Sequence, residues 1–131
     1  MEYSRNAVYN AVATAIQSQY EDAYCTSRYA PKPSQFPACY IHEIDNSRPV
    51  EFTQLDFEDV QWESAFEIQV SSTKASSAQT EAYAIMAIAD QAFNSLYYRR
   101  FSQTSMDLGD RFTIIGRYRR HIGGGDVMPT T

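Results

Sequence analysis

Six arginines crowd residues 99–121 of this chain: Arg99, Arg100, Arg111, Arg117, Arg119 and Arg120, against only Asp107 and Asp110. Guanidinium groups are planar and always charged, and they grip carboxylates or phosphates with paired hydrogen bonds. Arg117, Tyr118, Arg119, Arg120 and His121 also interleave cations with an aromatic ring, as binders of single-stranded nucleic acid do. The same segment carries Phe112, Ile114 and Ile115 toward a core, and the chain as a whole is acidic, with a formal net charge of -5. The opposite charge is densest between positions 51 and 67. There Glu51, Asp56, Glu58, Asp59, Glu63 and Glu67 occur without one Lys or Arg. Two solvated faces of opposite sign would explain the split. So would assembly, in which the arginine strand of one copy meets the acidic stretch of the next, head to tail. On that reading Arg111, Arg117, Arg119 and Arg120 lie at subunit contacts or face a lumen. Glu51, Asp56, Glu58, Asp59 and Glu63 then serve the neighbouring contact.

Catalytic chemistry has no comparable signal. The sequence holds no Gly-x-x-x-x-Gly-Lys-Ser/Thr loop, no Gly-x-Ser-x-Gly elbow and no His-Glu-x-x-His helix. Gly123, Gly124 and Gly125 precede no helix that would bind an anion. Glu58 and Asp59 are adjacent, so on a strand they point to opposite faces. Cys25 and Cys39 lack a Cys-x-x-Cys spacing, and with only His42 and His121 they form no zinc pattern. Without an export signal they read as two reduced thiols. No catalytic residue, cofactor or metal is expected. No apolar run is long enough to span a bilayer, so no membrane partner is expected either.

The elements that must hold these charges are legible from periodicity. At 131 residues the chain has the size of one domain. Val8, Val12 and Ile16 recur every four residues, with Tyr20 continuing the row, and predict a helix over 3–22. Residues 25–35 read as a loop because Pro31 and Pro33 remove donors. A strand follows over 38–44, with Cys39 and Ile41 on one face and Ala38, Tyr40, His42 and Ile44 on the other. Val60, Trp62, Phe66, Ile68 and Val70 alternate with polar neighbours, the mark of a half-buried strand. Phe52, Leu55 and Phe57 lie among the acidic residues between these two strands and should pack on something.

Ser76 and Gln79 fit a capping box ahead of a second helix over 78–98, whose apolar face is Ala82, Ile85, Met86, Ala89, Phe93 and Leu96. Arg99 and Arg100 then sit at its C-terminal end, where the helix dipole favours cations. Residues 101–108 and 111–122 form a hairpin turning near Leu108-Gly109-Asp110. The last strand places Phe112, Ile114, Gly116 and Tyr118 on one face, with Arg111, Thr113, Ile115, Arg117 and Arg119 on the other. Ten tyrosines need hydroxyl partners, so many should sit at the core's edge or in contacts. The expected architecture is α+β: two helices covering a mostly antiparallel sheet of about four strands. It forms one domain over 1–122, followed by a flexible tail over 123–131. Trp62, Phe66, Ile68, Val70, Ile85, Met86, Ala89, Phe93, Phe112 and Ile114 form the expected core.

In the order of its elements and in several strings the chain resembles the tail terminator, or tail completion, proteins of long-tailed bacteriophages. The strings are Phe36-Pro37-Ala38, the alternating stretch from Val60 to Thr73, Ala82-x-x-Ile85-Met86 with Asp90, Asp110-Arg111-Phe112-Thr113, and Arg117-Tyr118. They span about residues 1–122. Ser71 stands where relatives tend to have an aromatic, and Tyr97-Tyr98 replaces a turn glycine after the second helix. The resemblance implies a homo-oligomeric ring, usually hexameric, at the head-proximal end of the tail in the virion, assembled in the host cytoplasm. Its implied partners are the tail-tube protein, whose growth it caps, a head-completion or neck protein, and transiently the DNA passing through the lumen. A head-completion or neck connector role in the same particle, or a small nucleic-acid-binding accessory protein, are the alternatives.

Overall fold

Val8, Val12 and Ile16 line one side of helix α1, Arg5–Gln17, and all three are buried, with Ala7 and Ala13 beside them. The helix is shorter at its end than the expected 22. Beyond Gln17 the amides of Ser18 and Tyr20 still reach back to Thr14 and Ile16, and the Gln17 side chain donates to the Ala23 carbonyl at 3.3 Å. That turn leads into β1, Tyr24–Thr26, which corrects the expected loop over 25–35. Three residues are too few to show an alternation.

The computed structural model describes residues 5–28, 35–47, 62–73 and 77–122. The acidic residues Glu51, Asp56, Glu58 and Asp59, the apolar Phe52, Leu55 and Phe57, Ser76 of the expected cap and the expected tail over 123–131 lie outside them, as does the Trp62 side chain.

Strands β2, Ala38–Ser47, and β3, Trp62–Ser72, are followed by helix α2, Ala78–Ser95, and the hairpin β4, Arg99–Asp107, and β5, Phe112–Ile122. The N-cap of α2 is Ser77, whose side chain makes no capping hydrogen bond. The five strands form one sheet in the order β1-β2-β3-β5-β4, one strand more than expected; β1 runs parallel to β2 and every other pair is antiparallel. Both helices pack on one face. The architecture is therefore a single α+β domain.

Alternation decides which strand residues meet the helices. Cys39 and Ile41 of β2, Phe66, Ile68 and Val70 of β3, and Ile114 and Tyr118 of β5 are buried against Ile85, Met86, Ala89 and Phe93 of α2. Gly116 lets Met86 approach, since a Cβ there would lie 3.1 Å from its sulfur. Phe112 is half-buried rather than a core residue, and its ring packs on Tyr83. Tyr98 and Tyr118 are fully buried, and Phe93 stacks on Tyr118 with ring centres 4.3 Å apart. Each hydroxyl has a partner, as buried tyrosines require: Ser64 at 2.8 Å for Tyr98 and Asp90 at 2.9 Å for Tyr118.

Helix α2 ends at Ser95, three residues before the expected boundary. The Tyr97 amide donates to the Asn94 carbonyl at 3.0 Å and the Tyr98 amide to the Phe93 carbonyl at 2.9 Å. This is a Schellman closure, whose next-to-last residue, the one just past the helix cap, takes a positive φ and is usually glycine. Tyr97 fills that place, at φ 67. Arg99 and Arg100 therefore belong to β4 and not to the helix terminus.

Candidate functional site: the arginine hollow at the hairpin end

The helix-free face of the sheet displays a cross-strand row of His42, Glu67, Arg117 and Ser102, each opposite the next in register. Glu67 sits at its centre. Its carboxylate accepts from Arg117 Nε at 2.8 Å and from Gln69 Nε2 at 3.1 Å, and it pairs with His42 Nε2 at 3.0 Å. Burial alone would raise the Glu67 carboxyl, but the hydrogen bonds from Arg117, His42 and Gln69 outweigh it and hold it below the ordinary value. Tyr40 stacks on the imidazole with ring centres 4.1 Å apart. A carboxylate with three donors on it has little basicity left, so this cluster braces β2, β3 and β5 rather than moving protons.

The structure divides the four arginines singled out from the sequence. Arg117 is tied to Glu67. Arg119, on the same face, lies over the Phe101 ring at 4.9 Å. Arg120, one residue on, turns to the helix side: it is buried, donates to the Leu96 carbonyl at 2.8 Å and lies 5.8 Å from the Tyr98 ring centre. Arg111 is half-buried at the far end of the hairpin, beside Asp110 and Phe112. Glu63, the one described residue among the contact candidates Glu51, Asp56, Glu58, Asp59 and Glu63, faces His121 in register.

Two concave regions border the sheet. A cleft of about 760 Å³ lies between α1 and β2, lined by Arg5, Tyr9, His42 and Glu43 among others. His42 is committed to Glu67 there, and Glu43, raised by burial, is hydrogen-bonded to Ser64. The second, of about 610 Å³, wraps the end of the hairpin where β4 begins and β5 ends. It is lined by Arg99, Arg100, Arg119 and Arg120 together with Tyr97, Phe101, His121 and Glu63. Arg99 and Arg119 are directly opposed in register and both exposed. Among the described residues neither has a carboxylate partner. Arg100, on the helix side, lies 3.7 Å from Asp90 and donates to Gln103.

Like charges directly opposite on a sheet are unfavourable, and this pair is kept in spite of that cost. In the sequence Arg99 and Arg100 read as the end of a helix and not as site residues. Once β4 starts at Arg99, period-two alternation puts it on the face of Arg119.

Among the described residues no group of three or more His, Cys, Asp or Glu could hold a metal ion. None of their helices is long and apolar enough to cross a membrane. Comparison with protein-family models and with curated proteins finds no match for this chain.

Proposed function

We propose that the protein is a structural assembly subunit and not a catalyst: a tail terminator whose copies, six by the resemblance above, close into a ring. That ring caps the tail tube, stops its elongation and joins the tail to the neck of the head. The observation that carries this reading is the outer edge of β4. Among the described residues β4 pairs only with β5, and eight of its nine residues are exposed. An exposed strand edge is a template on which another chain can add a strand. Phe101, Met106 and Leu108 are large apolar groups left exposed along or just beyond it. Such groups gain by burial in a contact.

Electron microscopy of purified tails incubated with the protein tests the proposal. Rings seated at one end of the tube are expected; tails that remain bare at saturating protein overturn it. Light scattering behind size exclusion at low and high salt tests the charge-matched contact. Assembly that weakens with salt is expected, and assembly indifferent to salt counts against head-to-tail pairing of the arginine and acidic segments.

A further inference from the structure

The hollow at the hairpin end offers more than positive charge. Tyr97 is 73% exposed, the largest exposure among the large apolar side chains of the described residues. It also occupies a left-handed backbone position at φ 67, which disfavours an L-residue relative to glycine. Its ring packs into no core; Arg120 lies over it at 5.6 Å. Phe101, 45% exposed, lies beside Arg119 on the other flank. The hollow thus combines an opposed arginine pair, neither member ion-paired among the described residues although Glu63 lines the same hollow, with two exposed aromatic rings, one of them held in an unfavourable conformation.

We propose that this hollow binds single-stranded nucleic acid, with phosphates on Arg99 and Arg119 and bases stacked on Tyr97 and Phe101. Guanidinium groups neutralise successive phosphates, and aromatic faces accept any base because every base has a π face. An acidic peptide would satisfy the arginines but has no use for the two rings, and that favours nucleic acid. A neighbouring phosphate also removes the repulsion between Arg99 and Arg119. The inference does not rest on the ring, because the hollow is complete within one chain.

Fluorescence anisotropy of a labelled 20-nucleotide oligo-dT with the full chain tests it. Binding is expected at 50 mM salt, with log affinity falling against log salt at a slope of about -1.4 to -2.8, the range for two to four neutralised phosphates on a single strand. The double variant R99A/R119A is expected to lose about tenfold or more. R99K/R119K keeps the charges and should keep most of the salt slope. Tyr97→Gly removes the ring while easing the backbone, so it should weaken binding about fivefold or more without loss of thermal stability. A purely structural role for Tyr97 would not produce that combination. No binding at 50 mM salt, or binding indifferent to R99A/R119A, overturns the proposal. Displacement by poly-glutamate as efficient as by unlabelled oligo-dT at equal charge also overturns it, and assigns the hollow to acidic protein segments. Loss of ring assembly with oligo-dT binding intact would sink the assembly reading alone.

Discussion

The Tyr98 amide donates to the Phe93 carbonyl across 2.9 Å, and the two aromatic rings meet edge-on with centres 5.7 Å apart. This one pair ends α2, seals the top of the core and forces Tyr97 between them into the left-handed region. Glycine at 97 would relieve the steric cost, less the flexibility it adds to the unfolded chain. Tyr97→Gly is therefore expected to leave stability unchanged or raise it by up to about 1 kcal/mol, measured by urea denaturation. A clear loss would mean that the Tyr97 ring holds the fold through Arg120.

Glu67 links three strands, and its carboxyl is held below the ordinary value of 4.5. A depressed carboxyl stabilises the fold above its unfolded-state value, and that contribution is lost as pH falls through the lower folded-state value. Acid unfolding of the natural protein should therefore include a component below about pH 4.5 that Glu67→Gln removes. At neutral pH the same substitution is expected to cost about 1–2 kcal/mol, since the carboxylate is nearly buried but Arg117 is half in water. Equal acid midpoints for the two proteins would count against the brace.

Burial pushes the Tyr98 hydroxyl up to about 12, although Ser64 and Arg120 pull it down. Burial likewise raises Tyr118, and its hydrogen bond to Asp90 adds to the rise. A raised tyrosine stays protonated in the folded state while the unfolded chain loses its proton. Stability from these groups is fully present below pH 10 and declines as pH climbs through the folded-state values. Ultraviolet titration should show the two buried phenols ionising late and together with unfolding. Tyr98→Phe removes the hydroxyl's bond to Ser64, which keeps its bond to Glu43, at about 1 kcal/mol, and should reduce the alkaline loss. Early ionisation of all ten tyrosines without unfolding would contradict it.

Cys25 and Cys39 face each other in register across β1 and β2. Their hydrogen bond holds the Cys25 thiol below its ordinary value against the effect of burial, and the same bond with burial pushes Cys39 well up. The thiolate is the reactive species, and Cys25 is half-buried whereas Cys39 is fully enclosed. Iodoacetamide at pH 8 should therefore label Cys25 first, and Cys25→Ser should leave the native protein almost unlabelled. Peptide mapping that finds both thiols modified at equal rates would refute the ordering.

Periodicity alone determined much of this molecule. The four-residue rows of α1 and α2 and the two-residue alternation of β3 and β5 fix which faces are apolar, because burial requires one side of each element to face the others. The α+β class and the hairpin turn at Gly109, φ 86, follow from the same local rules. Three features were decided elsewhere. Strand β1 exists because β2 offers it an edge, which three residues cannot announce. Arg120 is buried because the end of α2 presents the Leu96 carbonyl to it, so a run of similar cations splits between two faces. The opposed pair of Arg99 and Arg119 depends on α2 ending at Ser95, through a Schellman turn that accepts tyrosine where glycine is the local preference. Such a turn is held by packing of Tyr98 against Phe93 within the turn and Phe66 on β3, far away in the chain. The sequence therefore determined which residues are charged and which faces are apolar; only tertiary packing decided which of the charges meet.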